Sequence, residues 1–598
     1  MTIRERIAAL QAKMKDYAVD AYVVPTSDYH ESEYVGDYFK ARAYLSGFTG
    51  SAGVLGVTTD KAGLWTDGRY FNAAAKQLED TGITLMKMGE EGVPTIEEFL
   101  AAEIPQGGKL GFDGKVVNTA LAESWKEKLS SKEITLSVDK DLAGMVWDDR
   151  PAISKAPTFR HELKYCGRST ADKLSDLRAQ MKSLDADAHI LTTLDDIAWL
   201  FNIRGGDVLH SPVVLSYALI TADEARFYLH EEVLSNEVKA ELESEGVTVR
   251  PYTAIYEEVK DLSNQTVLLD ANKVNYCVTE NLPEDATLIN AANPTTLAKS
   301  MKNETEVENT IRAHLYDGVA FTKFMYWLKN NYDKQTITEI SAADYLANLR
   351  YEQPENLGLS FNTIAGFGAN AAMMHYSATP ETDTAVTAPG MLLVDSGGQY
   401  YSGTTDITRT MVFGELEEET KKHFTAVVRS CIRLGKAKFL YGCRGLNLDI
   451  LSRGPIWEMG IDYKCGTGHG VGHLLNVHEG PNGFRWRIVP ERNDSAVLEE
   501  GMITTDEPGI YLEGKYGIRI ENELVCRKGE KNEYGQFMYF DIITVAPIDL
   551  DGIDPKYMMQ DEIDALNAYH ASVYEKLSPF MTEEENEWLK VYTRPISK

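Results

Sequence analysis

An internal repeat constrains this chain more than any other feature. Residues 20–24 read DAYVV, and about 25 residues on comes LSGFTGSAGVLGVTTDKAGLWTDGRYF at 45–71. A second copy opens on DAHIL at 187–191 and continues as TLDDIAWLFNIRGGDVLHSPVVLSYALITADEARFYL at 193–229. Each copy runs helix, buried strand, loop, Gly-rich turn, strand, polar turn, strand. The leading helices are expected over 4–15 and 170–182, where apolar residues recur near helical spacing. Such a unit buries a sheet under helices, so two related α/β domains are predicted at 1–155 and 156–297. The segment between them, DRPAISKAP at 149–157, reads as a linker. A chance likeness between two α/β segments is the alternative that the residues alone leave open.

The repeat changes the domain count. At about 150 residues per domain, 598 residues suggest about four. Two repeated units leave 298–598 as one α+β domain, with a boundary near Asn293-Pro294. That domain opens on an amphipathic helix over 304–329, for which Asn303 is the expected N-cap with acidic residues in the first turn. Near the end, Thr582 and Glu585 form a capping box ahead of Trp588 and Leu589.

Composition narrows the function classes. The chain is 43% hydrophobic and 25% charged, as soluble globular proteins are. Sixty basic against 91 acidic residues leave a net charge of −31, which disfavours binding to a nucleic-acid backbone and reads as a solvated acidic surface. Six cysteines without a C-x-x-C pair indicate neither a zinc knuckle nor a thioredoxin-type site, and suit reduced thiols in the cytoplasm. Residues 1–17 pattern as a polar amphipathic helix instead of a secretory signal, no window approaches the ~20 apolar residues of a membrane span, and the last residues carry no lipidation box. A cytoplasmic protein with no nucleic-acid and no membrane partner is expected. The P-loop, G-x-S-x-G and H-E-x-x-H patterns are all missing, and Gly466–Gly472 (GTGHGVG) has Val471 where a dinucleotide fingerprint needs its third glycine.

The last third of the chain holds carboxylates where a plain core would not. Met391–Val394 is an apolar strand that runs into Asp395. In TTDITRTMV, period-2 alternation puts Asp406, Thr408 and Thr410 on one face and Ile407, Arg409 and Met411 on the other. A turn at Gly403 would set the two strands antiparallel and bring Asp395 and Asp406 together. Two carboxylates on one buried face repel unless protons or a cation intervene. Either Asp taken alone could equally cap a turn. His469 sits among alternating glycines, which signals close backbone approach. Glu507 ends the strand of GMITTDEPG, and Pro508 shapes the turn after it. In GIRIENE, Ile518 and Ile520 face one way and Arg519, Glu521 and Glu523 the other. A buried salt-bridged strand is the competing account of that segment. Together Asp395, Asp406, His469, Glu507 and Glu521 would form a hard, oxygen-rich site that suits Mn²⁺ or two bridged divalent ions better than structural zinc. Two such ions do hydrolytic chemistry.

In order and spacing these residues resemble the pita-bread metallopeptidases, the family of methionine aminopeptidase, prolidase and aminopeptidase P. VDSGGQY, TTDITRT, GTGHGVGHLLNVHEGP, TTDEPGIY and GIRIENE are similar to its sequence blocks. The repeated N-terminal units resemble the two creatinase-like domains of the long, three-domain aminopeptidases P, with SGFTGSAG and TDGRY typical of the first and DDIAWLFNIRG of the second. The resemblance covers essentially the whole chain. It implies two creatinase-like α/β domains followed by a pita-bread catalytic domain, and hydrolysis of the N-terminal Xaa-Pro bond of peptides by a hydroxide bridging two metal ions.

By position the resemblance also implies roles. Asp395 would chelate one ion, Asp406 and Glu521 would bridge both, and His469 and Glu507 would complete the second. Glu507 would also act as base, and His478 would hydrogen-bond the substrate carbonyl or the tetrahedral intermediate. His375 matches the other substrate-side histidine, and Arg519 an arginine that orients the carboxylates. His473 is expected behind the ligands or at the rim, and not as a ligand. The cofactor is expected to be two divalent ions, with Mn²⁺ ahead of Co²⁺ and Zn²⁺. The partners are expected to be peptides with proline second and, in a homodimer, a second copy of the chain. Prolidase is the runner-up, but it normally has a single N-domain. A binding module that has lost its chemistry would have lost ligands, and here all five are present.

Overall fold

The computed structural model describes residues 1–489 and 494–598. The chain divides into two compact units, Met1–Arg160 with Arg168–Thr295, and His161–Gly167 with Thr296–Lys598.

The first unit holds both copies of the repeat, each with its own six-stranded sheet. In the first copy Ala21–Pro25 is central, antiparallel to Val54–Thr58 and parallel to Lys109–Gly111. In the second copy Ala188–Leu191 pairs antiparallel with Ser216–Thr221 and parallel with Thr266–Leu269. Strand order and the sense of every pairing are the same in both sheets. Ala21 even faces Thr58 as Ala188 faces Thr221. The leading helices run over Ile3–Asp16 and Thr170–Ser183, within a residue of their expected bounds. Burial explains the apolar central strands: Tyr22, Val23 and Ile190, Leu191 are all inside.

The second unit is organised by its long first helix, Glu304–Asn331. Asn303 caps it, accepting from the Glu306 amide while the Glu306 carboxylate accepts from the Asn303 amide. Its Phe321, Phe324 and Leu328 pack with Leu392, Val394, Ile407 and Met411 in one core. Those last four come from Gly390–Ser396 and Ile407–Phe413, neighbouring antiparallel strands of a three-stranded sheet. A second core joins Phe424, Val427 and Cys431 of the Glu418–Gly435 helix to Met391, Val412, Ile518 and Ile520. Nearby, a six-stranded sheet is ordered Lys438–Leu440, Gly535–Ile542, Asn522–Asn532, Ile503–Asp506, Gly468–Gly470, Glu479–Phe484. The C-terminal capping box of Thr582 and Glu585 forms as expected and starts the Glu583–Tyr592 helix. Among the described residues, no helix is long and apolar enough to cross a membrane.

Two details depart from the strand pattern. GIRIENE is not one strand: Tyr516–Arg519 pairs with Gly509–Leu512 in a small sheet, and Asn522–Asn532 belongs to the large one. The break falls on Ile520 and Glu521. Asp406 likewise lies just before its strand, which starts at Ile407. The expected faces are nonetheless kept on either side of the breaks: Ile518 and Ile520 pack in the second core, while Arg519 and Glu521 meet Thr408.

Candidate metal centre

Strand ends and the breaks between strands deliver the candidate ligands to one buried place. Asp395 stands opposite Thr408 in the antiparallel ladder, two residues from Asp406. His469 lies on Gly468–Gly470, beside Ile503–Asp506, which ends just before Glu507. The glycines around His469 are there for space. A Cβ on Gly468 would lie 1.8 Å from the Thr505 carbonyl oxygen, and one on Gly470 2.3 Å from that of Glu479. No side chain fits either position, so the strand on which His469 stands approaches its neighbours as closely as the glycine run suggested.

Asp406, His469 and Glu521 each present a ligand atom within 4.8 Å of the others. His469 Nε2 is 3.5 Å from Asp406 Oδ2 and 3.4 Å from Glu507 Oε1. Its Nδ1 lies 2.9 Å from the Gly470 carbonyl oxygen, which can only accept. Nδ1 therefore carries a proton, and Nε2 is the nitrogen that faces the carboxylates. Thr505 supports both neighbours: its Oγ1 accepts from the His469 amide at 3.0 Å and donates to Glu507 Oε1 at 3.3 Å.

Arg519 orients the other side. It donates to Asp395 Oδ2 at 2.6 Å, to the Tyr511 hydroxyl at 2.8 Å and, through Nε, to Thr408 Oγ1 at 3.1 Å. Thr408 passes this on, donating to Glu521 Oε2 at 2.7 Å. Behind the cluster, Arg409 is fully buried and hydrogen-bonded to the Glu521 carbonyl, the Asn522 side chain and the Tyr569 hydroxyl. This explains a charged residue on the otherwise apolar face of its strand.

Electrostatics sets what the cluster can hold. Burial, then the neighbouring carboxylates, push Asp406 and Glu521 well above the usual carboxylate range. Burial opposes the charge on Arg519, but Tyr511 and the surrounding carboxylates outweigh it and keep the guanidinium protonated. One guanidinium does not balance Asp395, Asp406, Glu507 and Glu521. Asp395 Oδ1 and Asp406 Oδ1 are buried with no hydrogen-bond partner. Orphaned carboxylate oxygens beside an imidazole whose Nε2 faces them, in a set rich in negative charge, fit hard divalent cations.

The other expected residues lie as follows. His478 is half-buried, its ring 4.3 Å from that of His469 and perpendicular to it. His375 is exposed, on the segment between Gly368–Ala372 and Gly390–Ser396. His473 is buried against Thr310 Oγ1 and the Tyr165 carbonyl, so of its two expected places it does not take the rim. Tyr376 is buried with its hydroxyl on Glu339. Sequence reasoning assigned no role to Thr408, Glu339 or Glu523. Alternation had placed Thr408 and Glu523 on the faces of Asp406 and Glu521, and that was the available signal. Glu339 had none, because its partners are distant in sequence.

Comparison with known proteins agrees with this architecture. Residues 6–144 and 149–306 each match the Creatinase/Prolidase N-terminal domain, 308–528 match metallopeptidase family M24, and 536–596 match the C-terminal region of peptidase M24. The chain is 39% identical to a probable Xaa-Pro aminopeptidase P of Talaromyces marneffei over 99% of its own length and 92% of that protein's. It is 37% identical to aminopeptidase P1 of Arabidopsis thaliana over 99% of both. The crystal structure of an X-prolyl aminopeptidase from Caenorhabditis elegans, described as a cytosolic enzyme with a di-nuclear active site, superposes with a TM-score of 0.92 at 32% identity, covering 100% of both chains. The expected order of two creatinase-like domains and a pita-bread domain is thus borne out from end to end. On these grounds the chain belongs to the aminopeptidase P group of metallopeptidase family M24.

Proposed function

We propose that the protein is a metal-dependent Xaa-Pro aminopeptidase, which hydrolyses the bond between the N-terminal residue of a peptide and a proline at its second position. One observation carries this: Asp406, His469 and Glu521 converge on a buried point, in a chain similar throughout to aminopeptidases P. Two divalent ions held by Asp395, Asp406, His469, Glu507 and Glu521 would supply Lewis acidity and a water activated at neutral pH. Mn²⁺ is the proposed metal because oxygen donors dominate the set, with Co²⁺ and Zn²⁺ as alternatives.

The chain's own residues do the rest. Asp395 would hold one ion, Asp406 and Glu521 would serve both, and His469 and Glu507 would complete the second. Glu507, only half-buried, takes the proton from the attacking water. His478 donates to the oxyanion as it develops on the substrate, and His375 meets the substrate from its exposed segment. Arg519 keeps Asp395 aimed. An Xaa-Pro bond is a tertiary amide without N–H, so a site that engages only the carbonyl accepts what ordinary aminopeptidases reject.

We further propose that the enzyme is cytosolic, with domains at 1–155, 156–297 and 298–598, and works as a homodimer. Six cysteines outside any disulfide and the cytosolic description of the C. elegans protein support the location. An exposed apolar face supports the dimer: Ile450, Leu451 and Trp457 of one helix, with Trp486 and Ile488 beside them and the two tryptophan rings 6.0 Å apart.

The activity is tested with the Mn²⁺-loaded protein on an Xaa-Pro-Xaa tripeptide and on the matching Xaa-Pro dipeptide. Release of the first residue from the tripeptide is expected. Turnover of the dipeptide alone would overturn the proposal in favour of a prolidase.

A further inference from the structure

Asp406 lies in a two-residue gap between the strands Gly403–Thr404 and Ile407–Phe413. No sheet ladder takes its amide. Instead the amide donates to Glu523 Oε1 at 2.7 Å, a charge-assisted bond. Glu523 is fully buried and stands opposite Thr505 in the large sheet. Its own amide is anchored on Thr544 Oγ1 at 2.8 Å. Among the described residues the cationic partner of its carboxylate is His314 of the long helix, whose Nε2 is 3.2 Å from the same Oε1. His314 Nδ1 is 2.9 Å from the Thr310 carbonyl, which orients the ring. Burial opposes a charge on this histidine, but the Glu523 carboxylate prevails and raises its pKa above the usual value. Glu523 shares the face of Arg519 and Glu521 yet has no part in the mechanism above.

We infer that Glu523, held in place by His314, is a positioning residue that sets the Asp406 backbone and thereby strengthens divalent-ion binding. This rests on the metal-centre proposal. Thr405 before it is held by Gly398 and Ser360, and Ile407 after it enters the ladder, but at Asp406 itself the amide is taken by the Glu523 carboxylate. Groups that orient a metal ligand from behind typically contribute about 10- to 100-fold in affinity. The histidine, itself fixed on the Thr310 carbonyl, contributes by fixing where that buried carboxylate points.

The test titrates the metal-free full-length chain with Mn²⁺ alone by calorimetry, and records the thermal midpoint of the metal-free form. Glu523→Gln is expected to bind Mn²⁺ about 10- to 100-fold more weakly, with the metal-free midpoint close to that of the parent. His314→Gln should weaken binding in the same direction. The double variant should lose no more than E523Q alone, because His314 acts through Glu523. Parent-like affinity in E523Q, or additive losses in the double variant, would overturn the inference. If E523Q does not fold, Glu523→Asp, which keeps the charge but withdraws it by one methylene, must show the weakened affinity, and parent-like binding there would overturn it equally. A parent protein that takes up no Mn²⁺ would instead sink the metal-centre proposal, and this inference with it.

Discussion

Thr408 joins the two sides of the carboxylate cluster through a single hydroxyl, accepting from Arg519 and donating to Glu521. Valine has nearly the same shape and neither capacity. Thr408→Val would leave a guanidinium N–H and a carboxylate oxygen unpaired in a buried place, at a cost of about 1–3 kcal/mol each. The expected outcome is weaker metal binding and a fall in kcat of at least about 10-fold. Calorimetric titration and steady-state rates on a tripeptide would check it, and unchanged metal affinity would refute the role. At this scale the candidate ligands are legible from local signals: an Asp ending an apolar strand, a His among glycines, a Glu before a proline. Thr408 was legible only as a member of a face, because threonines are common in strands for reasons of shape.

At the scale of elements, the segment that carries His375 depends on one carboxylate. Glu339, in the first turn of the Glu339–Tyr351 helix, is fully buried. It accepts from the Phe367 amide at 2.6 Å, the Asn370 side chain at 3.0 Å, the Tyr376 hydroxyl at 2.9 Å and the Thr384 amide at 3.0 Å. The helix N-terminus adds its own favourable field. Glu339→Ala would strand four donors and should destabilise the protein by about 3 kcal/mol. Amide exchange over 367–384 should accelerate and kcat should fall while Mn²⁺ affinity holds. Exchange as slow as in the parent would show that Glu339 does not anchor this segment. The strands around the site were predictable as alternating runs. Their breaks at Asp406 and Glu521 were not, because a ladder ends where its partner ends, and partners are chosen by the fold.

At the scale of the whole molecule, two properties follow from burial. His189 is enclosed in the central strand of the second sheet, and burial lowers its pKa to about 4, with its bond to the Leu268 carbonyl a partial offset. The unfolded histidine titrates near 6.5. Its neutral form therefore contributes fully above pH 6.5, and the contribution is lost as pH falls toward 4, because only the unfolded chain takes up the proton. The loss should approach about 3 kcal/mol. Urea unfolding at pH 7, 5.5 and 4 should show this slope, and His189→Gln should flatten it; an equal slope in both proteins would assign acid lability elsewhere. The second property is association. Trp486→Glu places a charge in the exposed apolar face and should convert a dimer to monomers in sedimentation analysis. A dimer unaffected by that change would mean that this face is not the interface.

The amino-acid sequence by itself determined the paired α/β units, the long capped helix and the identities of the candidate ligands. Period, caps and glycine or proline placement are written in neighbouring residues and need no distant partner. Only the tertiary structure decided that GIRIENE serves two sheets, that Arg409 is buried behind the site, and that Glu339 and the His314–Glu523 pair hold the segments of His375 and Asp406. Apart from the short hairpin of 509–519, these join residues well over ten and up to more than two hundred positions apart. Their energies come from desolvation and from polar groups left unpaired, which exist only once the chain has closed around them.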